Sequence, residues 1–113
     1  MKKTKILFVC TSNQRRSVAA EQLYKNHPRL EVKSAGTGSH AKTVLSIELI
    51  LWADCILCFT ARNQYILEQR FPDIISDKII DEIDVTDNCP YIIGTQVNEW
   101  LQKILLKNNV CQQ

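Results

Sequence analysis

A three-layer α/β fold, with a four-stranded parallel sheet in the order 2-1-3-4 between two layers of helices, is what the sequence predicts. Three observations carry that expectation. Strand-like and helix-like segments alternate from end to end, β-α-β-α-β-α-β-α, an order that joins parallel strands through right-handed crossovers. Two of the strand candidates, Lys5 to Cys10 (KILFVC) and Cys55 to Phe59 (CILCF), are nearly continuous apolar runs, as strands covered on both faces are. The 113 residues contain no repeat, low-complexity run or linker, so residues 1–113 are expected to form one domain with its own core.

Each element has a local reason. Lys5 to Cys10 is the first strand. Ser17 to Asn26 follows as a helix, with Ala19/Leu23 and Ala20/Tyr24 at helical spacing, and Pro28 closes it. Leu30 to Ser34 alternates apolar and polar residues as an edge strand does, and "SAGTGSH" then reads as a turn-rich loop. Val44 to Trp52 is a strongly apolar helix, and Cys55 to Phe59 the third strand. Thr60 is placed to cap a helix over Ala61 to Phe71, which Pro72 ends. Lys78 to Ile83 is a weaker strand, "DVTDNCPY" a polar loop, and a last helix runs from Gly94 or Thr95 to Leu106 with Val97, Trp100, Leu101, Ile104 and Leu105 on one face. The first and third strands, being the most apolar, belong at the centre. The order 2-1-3-4 then puts the topological switch point between them, and ligands bind beyond the carboxyl ends of such strands.

Composition narrows the function. Charged residues make up 23% of the chain and the net charge is +2, too small to point to nucleic acid or an anionic membrane. Apolar runs such as Ile47 to Ala53 fall far short of the roughly 20 residues that cross a bilayer. The basic start Met-Lys-Lys-Thr-Lys is followed by an apolar run of Ile6 to Cys10 alone, too short for a secretory signal, so a cytoplasmic protein is expected. The five cysteines are odd in number and lack the paired knuckles of a zinc site. Cys55 and Cys58 form a CxxC, but within an apolar strand, where inert buried thiols are expected rather than a metal or redox pair.

"VCTSNQRRS", Val9 to Ser17, is the stretch that carries chemistry. A strand ends at Cys10, a short loop follows, and a helix starts near Ser17, so main-chain N–H groups can converge on one point at the switch. That point favours an anion, and Arg16 offers a planar fork of donors suited to two oxygens of a tetrahedral oxyanion. The same field favours the Cys10 thiolate, and Ser17 can donate a hydrogen bond to its sulfur.

Cys10-x5-Arg16-Ser17 is the pattern of cysteine-dependent phosphatases, and the chain resembles in particular the low-molecular-weight protein tyrosine phosphatases, whose loop also follows the first strand at the N-terminus. Asn13 falls where that family has an asparagine in the left-handed conformation that shapes the loop. "SAGT" from Ser34 to Thr37 matches the end of its second strand, and "WADCILCF" resembles its third. Most of the chain is covered by the likeness, at a length that resembles the compact bacterial branch. The resemblance implies a phosphotyrosine protein phosphatase I-like fold, no metal or cofactor, and a phosphorylated protein or peptide as substrate. It implies a phosphate-binding loop of Thr11, Ser12, Asn13, Gln14, Arg15 and Arg16, with Ser34 supporting Asn13. It further implies Cys10 as nucleophile, Arg16 as phosphoryl-binding cation, Ser17 as the donor that eases sulfur's departure, and a general acid from "IDVTDNCPY".

Asp87 is the expected acid and Asp84 the runner-up, neither followed by the family's proline. "CTSNQRRS" with "DVTDN" also resembles the loop pair of the RNA polymerase C-terminal-domain phosphatase of the same superfamily, where the second aspartate is the acid. Three departures bear on substrate. "TGSHAK" offers only His40, and the acid loop only Tyr91, where tyrosine phosphatases wall the cleft with aromatic rings. Arg15 replaces a second loop cysteine, which removes a protective disulfide, and its side chain is open to a second anionic group or to solvent alone. Two other readings share the scaffold. A non-catalytic phosphate-binding module would lack the acid. A thioredoxin-coupled arsenate reductase would use Cys58 as relay cysteine, but Tyr65 stands where its third cysteine belongs and Cys89 is a distant substitute.

Overall fold

A computed structural model describes residues 3–83 and 89–107, the side chains of 105–107 excepted. Its elements run β1 (Thr4–Cys10), α1 (Arg16–Tyr24), β2 (Leu30–Gly36), α2 (Ile47–Trp52), β3 (Cys55–Cys58), α3 (Ala61–Arg70), β4 (Ile79–Glu82) and α4 (Pro90–Lys107). The sheet is parallel in the order β2-β1-β3-β4, as the apolar runs implied.

The alternation of side chains along β1 divides the core. Ile6, Phe8 and Cys10 turn to one face with Ala20 and Tyr24 of α1 and Ile93, Val97, Trp100, Leu101 and Ile104 of α4. Leu7 and Val9 turn to the other, with Ile50 of α2 and Leu67 of α3. Every residue of β1 from Ile6 to Cys10 is buried, and a fully buried side chain of this size contributes about 1.5–3 kcal/mol. Phe8 sits between Tyr24 and Phe59, with ring centroids 6.2 and 6.0 Å away in tilted pairs. The strand that carries the candidate nucleophile is thus among the most deeply held segments of the protein.

Most boundaries differ from expectation by one or two residues, and three differences have an identifiable reason. β2 runs on to Gly36 because Ala35 and Gly36 pair with Val9 and Cys10, so part of "SAGTGSH" is strand. α2 begins at Ile47 rather than Val44: Val44 bridges to Gly36, the Leu45 amide donates to the Gly36 carbonyl at 2.9 Å, and Ser46 caps the helix through the Leu49 amide. α1 starts one residue early, at Arg16. α4 starts at Pro90 rather than Gly94 or Thr95, since proline at the first helical position has its φ preset and gives up an amide the helix would not use. Thr60 caps α3 as expected, its hydroxyl accepting from the Asn63 amide. No helix among the described residues is long and apolar enough to cross a membrane.

Candidate active site

β1 delivers Cys10 to the carboxyl edge of the sheet, at the switch between β1 and β3, with its residue only 3% exposed. The loop to α1 is held open by backbone bonds from its outer side. The carbonyls of Cys10, Thr11 and Ser12 accept from the amides of Thr37 at 2.9 Å, Gly38 at 2.9 Å and Lys42 at 3.1 Å. In a planar trans peptide the N–H points opposite to the C=O, so fixing these three carbonyls outward turns the amides of Thr11, Ser12 and Asn13 inward. The Asn13 amide shows the result, donating to Cys10 Sγ at 3.2 Å. Close packing demands Gly36 behind the loop: a Cβ there would stand 2.4 Å from the Thr11 carbonyl oxygen and 2.6 Å from the Ala41 Cβ.

Asn13 is the residue that bends the loop. Its φ of 53° is the left-handed conformation that asparagine tolerates better than most side chains, as the family resemblance implied. It is buried, and its side chain is used at both ends. Nδ2 donates to Ser17 Oγ at 2.8 Å, and Oδ1 accepts from the Thr43 amide at 3.0 Å. Ser17 Oγ lies 2.9 Å from Cys10 Sγ. Because that hydroxyl already accepts from Asn13, its own hydrogen is left for the sulfur. Two donors, the Asn13 amide and the Ser17 hydroxyl, therefore converge on Sγ, an environment that complements a sulfur anion.

The expected support from Ser34 is corrected. Its hydroxyl donates to Glu21 Oε1 of α1 at 2.5 Å, so this serine ties β2 to α1, while Ser17 and Thr43 hold Asn13. Thr11, Ser12, Gln14 and Arg15 are exposed on the loop, and Arg16 is half-buried at the first position of α1. The α1 N-cap is Arg15, with no side-chain cap, so the first-turn amides of that helix are not spent on a capping residue. His40 and Tyr91 are exposed. Asp84 and Asp87 lie outside the described residues.

Asn63 was not anticipated. It is fully buried in the first turn of α3, and both polar atoms of its side chain are hydrogen-bonded. Oδ1 accepts from the Thr60 hydroxyl at 2.8 Å, while Nδ2 donates to Thr11 Oγ1 at 3.2 Å and to Thr37 Oγ1 at 3.0 Å. One amide thus clamps the first residue of the loop and the residue that follows β2. Its only sequence signal was Thr60-x-x-Asn63, a capping pattern with asparagine in the usual place of glutamate or glutamine.

The remaining cysteines differ from Cys10. Burial, followed by the charges of Asp54 and Asp81, pushes the Cys55 thiol up to about 11. Burial, followed by Glu68 and Glu82, pushes Cys58 up to about 12. Both are free and buried, as inert core thiols are, and Cys58 packs on the sheet face opposite to Cys10. Cys89 is exposed.

Comparison with known proteins agrees with this geometry. The protein-arginine-phosphatase of Geobacillus stearothermophilus is 38% identical over a match covering 61% of this chain and 63% of that protein, so the chain spans less than two thirds of the relative's length. The solved YwlE arginine phosphatase from the same organism superposes with a TM-score of 0.64 at 26% identity, covering 92% of this chain and 96% of that one. SP-PTP, a low molecular weight protein tyrosine phosphatase from Streptococcus pyogenes, superposes with a TM-score of 0.77 over 95% of this chain and 97% of its own; at 16% identity it speaks for the fold alone. The sequence model of the low molecular weight phosphotyrosine protein phosphatases matches residues 5–86, from β1 to just past β4, and with the loop geometry of Cys10, Asn13 and Ser17 it makes this chain a member of that family.

Proposed function

We propose that the protein is a cysteine-dependent protein phosphatase working through a phosphocysteine intermediate. The observation that carries the reading is the Cys10 sulfur, met by the Asn13 amide and the Ser17 hydroxyl at the carboxyl edge of the sheet. In the first step Cys10 Sγ attacks phosphorus in line. Arg16 and the inward amides of the loop hold the equatorial oxygens, and the bond from phosphorus to the leaving group breaks. Asp87 gives its proton to the leaving group. In the second step the same carboxylate takes a proton from water, the water oxygen attacks phosphorus, and the S–P bond breaks to release inorganic phosphate and restore the sulfur anion, which the Ser17 hydroxyl stabilises as it departs. The reaction needs no metal or redox cofactor, and the free thiols fit a reducing, cytoplasmic setting.

The substrate is a phosphorylated protein, and two side chains are supported. Phosphotyrosine is the substrate in the family's name. Phosphoarginine is favoured by the 38% identical relative, which is named for it. An arsenate-reductase relay finds less support, because Cys58 and Cys10 occupy opposite faces of the sheet.

Turnover of p-nitrophenyl phosphate at pH 5–6 tests the activity, and turnover of matched phosphotyrosine and phosphoarginine peptides assigns the leaving group. Activity abolished by Cys10→Ser and lowered about 10²- to 10⁴-fold by Asp87→Ala, with vanadate affinity nearly intact, is the expected outcome. A loss caused by Asp84→Ala instead would move the acid to that residue. Vanadate binding without turnover in the unaltered chain would leave a phosphate-binding module.

A further inference from the structure

Among the described residues, three stretches of chain build the site: the loop 10–17, the segment 36–43 whose amides hold its carbonyls, and residues 60–64 at the start of α3, whose Asn63 holds Thr11 and Thr37. Together they carry Arg15, Arg16, Lys42, Arg62 and His40 and no aspartate or glutamate, in a chain whose 14 basic and 12 acidic residues are nearly balanced overall. Arg16 is taken up by the phosphoryl group in the reading above. Arg15, Lys42 and Arg62 are not needed there, and all three are exposed.

Each of the three sits on the loop that carries the sulfur or on a segment hydrogen-bonded to it. Arg15 lies on the loop itself, as the N-cap of α1. Lys42 is fixed by its amide, 3.1 Å from the Ser12 carbonyl oxygen. Arg62 adjoins Asn63, whose amide reaches Thr11 at 3.2 Å. Long flexible side chains on such rigid anchors sample the space around the mouth of the site at little entropic cost to the backbone. Like charges gathered on one rim repel one another, so their surplus raises the energy of the empty site and is relieved by a polyanionic ligand.

We infer that this rim selects its substrate, and that the preferred one is a phosphorylated segment of a protein flanked by acidic residues. The inference rests on the phosphatase reading for the identity of the central group, but not on turnover. A lone exposed ion pair changes affinity by roughly a factor of two, so three acting together give about tenfold. The preference is screened as ionic strength rises, because the Debye length falls below the separation of the charges.

The experiment measures binding of two fluorescent phosphotyrosine peptides to the full-length Cys10→Ser chain, one with glutamates on both sides of the phosphate and one with glutamines there. The acidic peptide is expected to bind about tenfold more tightly at low salt, with the ratio shrinking toward unity in high salt. Lys42→Glu and Arg62→Glu should each lower the ratio of the two affinities by two- to fourfold, a readout already corrected for any general weakening of the site. Equal binding of the peptides, binding of neither, or a ratio unmoved by both substitutions overturns the inference. So does competition by a single-stranded oligonucleotide as effective as the acidic peptide, which would make the rim a general polyanion surface. Turnover of p-nitrophenyl phosphate by the unaltered chain is read separately: its absence beside a retained peptide preference would remove the phosphatase reading and leave the rim in place.

Discussion

Cys10 and Cys58 end adjacent strands of one sheet, and in register Cys58 lies opposite Val9, one residue from Cys10. Both are buried, at 3% and 0% exposure. What separates them is the company each keeps. Past Cys10 the chain turns back on itself through Asn13, and two hydrogen-bond donors are aimed at its sulfur. Past Cys58 the chain goes into Phe59 and Thr60 and then a helix. Cys58 belongs to the core cluster of Leu7, Val9, Ile50 and Leu67, and after burial the charges of Glu68 and Glu82 raise its thiol. Burial among apolar groups and carboxylates raises the Cys58 thiol, while the Cys10 sulfur is met by two hydrogen-bond donors. Position at a strand end therefore does not by itself decide a cysteine's surroundings.

The sharpest way to break this contrast is to remove each sulfur in turn. Cys10→Ala is expected to lower kcat/KM by at least about 10⁴-fold, the scale on which loss of a nucleophile acts. Cys58→Ala should leave kcat/KM within about threefold and cost about 1–2 kcal/mol of stability through the small cavity it opens. Steady-state kinetics with p-nitrophenyl phosphate and urea unfolding of both variants make the check. Comparable activity loss in the two would place Cys58 in the reaction and revive the relay.

How much of this was legible beforehand follows the same division. The central strands were readable because a parallel sheet buries both faces, which writes a continuous apolar run into KILFVC and CILC. The strand-loop-helix turn was readable because it is local, eight residues from Cys10 to Ser17. What failed depended on distant partners. Ser34 was assigned to Asn13, yet its hydroxyl meets Glu21, a contact fixed by how α1 lies against β2. Val44 and Leu45 look like the start of α2 but are drawn to Gly36 by the sheet. Gly94 resembled a helix boundary, while the true first residue, Pro90, resembled loop punctuation. Asn63 was hidden most completely, since its partner Thr11 is 52 residues away.

A second test uses pH. For a thiol raised by the fold, the stabilising contribution is complete below the ordinary value near 9 and is lost as pH climbs toward the folded value. Above pH 9 the unfolded chain gives up the proton while the native chain still holds it. Stability should thus fall between pH 9 and the values of about 11 for Cys55 and about 12 for Cys58. The slope is about 1.4 kcal/mol per pH unit for each thiol once the unfolded form is ionised, and the combined loss from pH 8 to pH 10 is about 3 kcal/mol. Urea unfolding at pH 8 and pH 10 measures it. The double variant Cys55→Ala, Cys58→Ala should start lower at pH 8 and show a flatter decline. An equally steep decline would mean that other groups, not these thiols, carry the alkaline sensitivity.

The smallest expected effect falls on a residue whose side chain links the two strand ends. Asn63 belongs to the β3 side, in the first turn of α3, but its amide serves Thr11 and Thr37 beside Cys10. Its other end is occupied by Thr60, whose hydroxyl accepts from the Asn63 amide nitrogen and donates to Oδ1, so the side chain cannot flip without losing bonds at both ends. Asn63→Ala leaves two threonine hydroxyls without their donor, a cost of about 1–3 kcal/mol in stability. Because the Asn63 side chain bonds to Thr60, Thr11 and Thr37 rather than to the sulfur, it acts by positioning, and loosening the loop it clamps should raise KM several-fold while kcat changes less. Asn63→Asp separates that role from packing. It keeps the shape and the Oδ1 acceptor, but it replaces both Nδ2 hydrogens with an oxygen, and the threonine hydroxyls must turn to donate to it. Stability of Asn63→Asp close to the parent, together with a raised KM, would show that the loop's position depends on the direction of these hydrogen bonds; an unchanged KM in both variants would confine Asn63 to the core of α3.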